Sequence, residues 1–207
     1  VSISSHNNNQ HKGNYMQNIT SPKGKAVYPQ VNEPNYKFDQ GGMYSIKLHL
    51  TEDDFKVFEG QVKDYVEAQY QAECAKTGKK LKRANSSPIR ITDEGDFEIY
   101  AKQAAKKETV KGPMTFSIAL YDSQAKPMNE KIGSGSTCKI AVKPWTWYNP
   151  SLGFGYTLQL SAVQVIELKE YSSGGSSMFG VEDGGFVSES LETAFTKEED
   201  SDFAPSF

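Results

Sequence analysis

The sequence predicts a mainly β fold: a small five-stranded barrel with one long helix and a disordered acidic C-terminal tail. Three observations carry this. Five segments alternate apolar and polar residues with the period of half-buried strands, one segment repeats at helical spacing behind a capping signal, and the composition changes after Glu170. With 207 residues, 37% of them hydrophobic, the chain suits one domain with unpacked extensions.

Residues 1–18 are polar, rich in Asn and His, and read as a flexible arm without the apolar core of a signal peptide. No run approaches the length and apolarity of a membrane span. Residues 21–42 contain Pro22, Pro29, Pro34, Gly24, Gly41 and Gly42, so an ordered loop is expected, with room for an edge strand. Met43 to Leu50 puts Tyr44, Ile46, Leu48 and Leu50 on one face and Ser45, Lys47 and His49 on the other.

Thr51 then predicts a helix N-cap, with Asp54 placed as in a capping box and Glu52 and Asp53 suited to the helix dipole. Phe55, Phe58, Val62, Tyr65, Val66 and Ala72 form a stripe that should pack on the barrel, and the helix should end near Gly78. Lys76 to Arg90 holds six basic residues and no acidic ones, and reads as a mobile basic loop.

Three further strands follow by alternation. Phe97, Ile99 and Ala101 oppose Glu98, Tyr100 and Lys102; Met114, Phe116, Ile118 and Leu120 oppose Thr115, Ser117, Ala119 and Tyr121; Cys138, Ile140 and Val142 oppose Lys139, Ala141 and Lys143. In the fifth, Leu158 and Leu160 share one phase while Val163, Val165 and Leu168 suggest another, which predicts a β-bulge. Five strands and one helix fit an oligonucleotide-binding barrel, as they fit other small barrels and sandwiches. The Ser172–Ser177 stretch reads as a linker, so the barrel domain is set at residues 19–171 and the tail at 172–207.

Charge is divided along the chain. Residues 1–169 hold 22 Lys+Arg against 17 Asp+Glu (net +5), whereas residues 170–207 hold one Lys against nine acids (net -8). A basic body suits a polyanion, and an acidic tail of the same chain can compete for it. No catalytic constellation is present: GxSxG, HExxH and a phosphate-loop Gly-Lys-Ser/Thr are all missing. His6, His11 and His49 share no metal-ligand spacing, and Cys74 and Cys138 read as buried free thiols. Neither enzyme activity nor a cofactor is expected.

Aromatic residues interleave with basic ones instead. Lys139, Lys143, Trp145, Trp147 and Tyr148 fall within ten residues, and Tyr100 shares a strand face with Lys102. Trp145 and Trp147 point the same way in an extended chain and could form a stacking platform for unpaired bases, or else fill the core. Lys47, on the polar face of its strand, is a further candidate contact.

The segment from Gly133 through Lys143-Pro-Trp-Thr-Trp147, then Leu158-Gln-Leu160 and Val165-Ile-Glu-Leu168, resembles the single-stranded-DNA-binding proteins of short-tailed lytic phages. Tyr44 to Leu50, Gly78 to Lys82 and Asp122 to Met128 match in the same order. So does the tail, with Glu198, Glu199, Asp200, Asp202, Phe203 and a terminal Phe207. The resemblance spans most of residues 19–207, while the arm before Met16 has no counterpart. It implies an oligonucleotide-binding barrel, a homodimer, and a tail that contacts phage DNA polymerase and primase-helicase in the host cytoplasm. It also implies a basic loop before the first long strand, where this chain supplies only Lys37. An RNA-binding or RNA-chaperone barrel and a virion or scaffold protein are the alternatives.

Overall fold

The apolar residues of five strands face one another around a closed ring. The computed structural model describes residues 18–37, 39–110 and 112–170. Its elements are β1 (Ile19–Thr20), β2 (Gly24–Asn35), β3 (Met43–Leu50), α1 (Glu52–Thr77), β4 (Ile89–Ile91), β5 (Phe97–Ala104), β6 (Lys106–Thr109), β7 (Gly112–Thr115), β8 (Ala119–Tyr121), β9 (Thr137–Asn149) and β10 (Gly153–Glu167). β9, β2, β3, β5 and β10 pair in that order, and β10 pairs back onto β9. The β5–β10 pair is parallel and the other four are antiparallel. Closure removes the edges of these five strands. β1, β4 and β8 add short flanking pairs, and β6–β7 form a separate two-stranded ribbon.

The core follows the predicted alternation. Ile46, Leu48, Ile99, Ala101, Cys138, Ile140, Val142, Leu158 and Val163 are fully buried. The bulge in β10 is present: its register against β9 shifts between Leu160 and Ala162, which returns Val163 and Val165 to the interior. Leu168, expected inside, is exposed because β10 ends at Glu167.

Helix α1 begins and ends as its sequence requires. The Thr51 hydroxyl accepts from the Asp54 N–H at 3.3 Å and donates to the Asp54 carboxylate at 2.9 Å. Gly78 closes the other end in the left-handed region, φ 67°. Of the apolar stripe, Phe55, Phe58, Val62 and Val66 are buried and Tyr65 is half-buried, whereas Ala72, expected on the barrel, is exposed; Tyr70 takes the next buried position. Phe55 meets Phe97 with ring centroids 5.3 Å apart, Phe58 is fully buried, and Tyr70 stands edge-on to Phe154 at 5.3 Å.

Three expectations are corrected. Residues 24–35 form a barrel strand rather than a loop. Its prolines sit where the ladder is interrupted: register against β3 shifts between Val27 and Gln30 and again before Asn35. Tyr28 takes a left-handed φ of 46° at the first break, and its N–H donates to Ser134 Oγ at 2.9 Å. The expected strand over Met114–Leu120 is divided between β7 and β8. Ala105 N–H donates to Gly42 O and Phe116 N–H to Ala105 O, pinching the base of the ribbon and sending β6–β7 away from the ring.

The basic loop, third, is pinned. Phe154 N–H donates to Lys82 O, Ala84 N–H donates to Phe154 O, and the Tyr70 hydroxyl donates to Leu81 O at 2.7 Å. Leu81 and Ile89 are buried. Gly153 allows this close approach, since a Cβ there would lie 2.5 Å from Lys82 O.

Phe58→Ala removes a large side chain from between helix and barrel. Urea unfolding should show a loss of about 3–5 kcal/mol. A loss under about 1 kcal/mol would mean that the helix is not part of the cooperative unit.

Candidate nucleic-acid interface

The outward phase of four neighbouring strands builds one surface. Lys47 on β3 lies opposite Tyr100 on β5, and Ser45 lies opposite Lys102. Lys102 is in register with Gln159 on β10, which is in turn opposite Lys143 on β9. Lys102 and Lys143 therefore flank Gln159 on one face. Two and four residues beyond Lys143, Trp145 and Trp147 continue the same face, opposite Thr157 and Gly155. Pro144, between Lys143 and Trp145, points inward and is buried.

A groove opens because β5 and β10 pair only at Ala101–Leu158 and Lys102–Gln159. Below that point the strands part, and residues 86–88 enter the gap, with Tyr100 N–H donating to Pro88 O at 2.7 Å. The resulting cavity, about 360 Å³, is lined by Lys47, Arg90, Tyr100, Lys102, Trp147 and Tyr156. The indole of Trp147 lies across Gly155, where a Cβ would come within 2.4 Å of Cζ2, so glycine is required. Trp145 is 45% exposed, with Lys107 Nζ 5.7 Å from its ring centroid. Tyr156 hydroxyl lies 3.0 Å from Ser87 Oγ, and burial raises its pKa, keeping the phenol neutral.

Glu98 lies beneath the cations and is only 2% exposed. Its Oε1 accepts from Arg90 Nε at 2.9 Å and Nη2 at 2.7 Å, and its Oε2 meets Lys47 Nζ at 3.1 Å. His49 Nε2 lies 3.7 Å from the same Oε2, and His49 Nδ1 lies 3.5 Å from Asp96. Burial opposes ionisation of Glu98, but the hydrogen bonds and charges of Arg90 and Lys47 outweigh it and hold the carboxyl below its ordinary value. The carboxylate thus fixes two cations at the groove wall and offsets part of their charge.

Of the residues singled out from the sequence, Lys47, Tyr100, Lys102 and Trp147 line the groove, and Lys143 and Trp145 extend its face. Lys139 shares that face farther along β9, opposite Gln164, and does not line the groove. Lys37 is exposed in the β2–β3 turn, where its N–H donates to Asn35 Oδ1, and is likewise not part of the lining. Glu198, Glu199, Asp200, Asp202, Phe203 and Phe207 lie outside the described residues. Arg90, Ser87 and Tyr156 were not singled out. Tyr156 shares the inward phase of Leu158, and the parting of the strands exposes it to the groove.

A closed five-stranded barrel of this connectivity, with a groove of aromatic and basic side chains on its outer face, is an oligonucleotide-binding type of barrel. No family model matches the chain. It is 27% identical to the single-stranded DNA-binding protein of Enterobacteria phage T3, over 81% of this chain and 84% of that one. It is also 27% identical to the single-stranded DNA-binding protein of Escherichia phage T7, over 82% of this chain and 84% of that one. Among solved structures, the single-stranded DNA-binding protein encoded by bacteriophage T7 matches with a TM-score of 0.65 at 22% identity, covering 84% of this chain and 99% of that one. The bacteriophage Enc34 single-stranded DNA-binding protein, in complex with single-stranded DNA, matches at 0.55 and 19% identity, covering 74% and 88%. The chain is thus similar over most of its length to phage single-stranded-DNA-binding proteins.

The Glu98 cluster predicts an acid-side signature. Because its folded pKa is depressed, its contribution is present above the ordinary value of 4.5 and is lost as pH falls through the folded value. Glu98→Gln should be less stable than wild type at neutral pH, and the difference should shrink as pH falls below 4.5. Urea midpoints measured across that range check this; parallel pH profiles would contradict it.

Proposed function

We propose that this chain binds single-stranded DNA along the groove, as a non-enzymatic component of phage DNA replication, recombination and repair. The observation that carries the reading is the convergence of Lys47, Arg90 and Lys102 with Tyr100, Trp147 and Tyr156 in one outward-facing groove. Cations hold phosphates without reading sequence, and aromatic rings stack on any base. The Enc34 relative, whose complex with single-stranded DNA shares the fold, supports this use of the barrel.

In the same proposal, residues 19–171 form the binding domain and residues 172–207 the acidic tail. The tail competes with DNA for the basic face. When DNA displaces it, Glu198 to Asp202, Phe203 and Phe207 dock phage DNA polymerase and primase-helicase. The chain acts as a homodimer in the host cytoplasm. Charge supports the competition: the tail segment is net -8 against a body of net +5.

Tryptophan fluorescence titrated with single-stranded oligonucleotides tests the DNA reading. With roughly four to six phosphate contacts, the log–log salt slope should be about -3 to -4. Lys102→Ala and Lys143→Ala should each reduce the steepness by about 0.7. Equal affinity for duplex DNA, or a flat salt dependence, would refute the reading, and equal affinity for RNA would favour an RNA-binding barrel.

Deletion of residues 188–207 should leave the barrel folded, tighten DNA binding most at low salt, and abolish polymerase binding. Unchanged DNA affinity would show that the tail does not compete.

A further inference from the structure

We propose a nucleotide subsite outside the groove, in which the β6–β7 ribbon and Trp145 hold one base between them and Lys107 holds its phosphate. The subsite rests on the reading of the barrel as a single-stranded-DNA binder. Lys107 and Met114 are directly opposed in the ribbon and so project from the same face of it. Lys107 Nζ stands 5.7 Å from the Trp145 ring centroid, so this is the face turned toward the indole. Lys106, Glu108, Pro113 and Thr115 occupy the opposite face.

The chemistry on the two sides is complementary to a nucleotide. Trp145 is 45% exposed and Met114 is 48% exposed, although both are large and apolar. A flat indole and a polarizable thioether suit the two faces of a base. Lys107 occupies the indole face by a cation–π contact at an exposed position, which a stacking base can displace. The displaced ammonium then stays within reach of that nucleotide's phosphate. The ribbon is rooted for this purpose: Ala105 is buried and hydrogen-bonded to Gly42 and Phe116, while the residues beyond it project from the barrel.

Trp145 and Trp147 are the two tryptophans of the chain, so Trp147→Phe in the full-length protein leaves Trp145 as the single reporter. Binding of oligothymidylate and acrylamide quenching of Trp145 are measured in this background, with circular dichroism confirming the fold of each variant. Lys107→Ala and Met114→Ala should each weaken binding by about threefold to tenfold. Met114→Ala should also leave Trp145 more open to acrylamide in the complex, and Met114→Leu should restore the shielding. Lys106→Ala removes the same charge from the other face and should have a smaller effect than Lys107→Ala.

Equal losses for Lys106→Ala and Lys107→Ala, with Trp145 shielded as before in Met114→Ala, would reduce the ribbon to general positive charge and overturn the subsite. A wild-type chain that fails to bind oligothymidylate at all would instead overturn the functional reading, and the subsite with it.

Discussion

The long pairing of β9 with β10 is the constraint on which the molecule depends. It runs from Asn149–Gly153 to Thr137–Glu167, while β9 reaches β2 on its other side and β10 reaches β5. Without it the ring would open into a sheet with two free edges. The same pairing determines the surface. Strand alternation that buries Cys138, Ile140, Val142 and Pro144 turns Lys139, Lys143, Trp145 and Trp147 outward. The bulge after Leu160 lets β10 satisfy both tasks, because a continuous register would turn Val163 and Val165 to solvent. Core and candidate interface are therefore two faces of one hairpin.

The groove adds an electrostatic compromise. A surface meant for a polyanion gains from unpaired cations, yet Lys47 and Arg90 are tied to the buried Glu98. The carboxylate lowers the groove's net charge but limits the freedom of two long side chains, which would otherwise lose rotamer entropy on binding. Lys102 and Lys143, flanking Gln159, add charge on the row above. Arg83 has a different role: its guanidinium lies 3.9 Å over the Tyr70 ring and pairs with Glu67, which helps fasten the basic loop to α1.

Much of this was legible where a local rule and the tertiary environment agree. β3, β5 and β9 follow their apolar phase, Thr51 and Gly78 bound α1, and the β10 bulge shows as a change of phase between Leu160 and Val163. β2 was hidden because Pro29 and Pro34 read as loop residues until the interruptions in its ladder are seen. The pinning of residues 81–84 was hidden because its partner, Phe154, is distant in sequence. In the site, alternation found Lys47, Tyr100, Lys102 and the outward tryptophans. It could not find Glu98 as the hub, since a carboxylate on an outward phase reads as solvated until Arg90 and Lys47 are seen to enclose it.

Photocrosslinking with oligonucleotides carrying 5-iodouracil, followed by mass-spectrometric mapping, would locate the DNA on the protein without reliance on affinity. A path along the groove predicts adducts at Tyr100, Trp147 and Tyr156, with Trp145 on the continuation of the same face. Adducts confined to exposed rings that do not line it, such as Tyr28 and Tyr36, would place the strand elsewhere and contradict the groove as the DNA-binding surface.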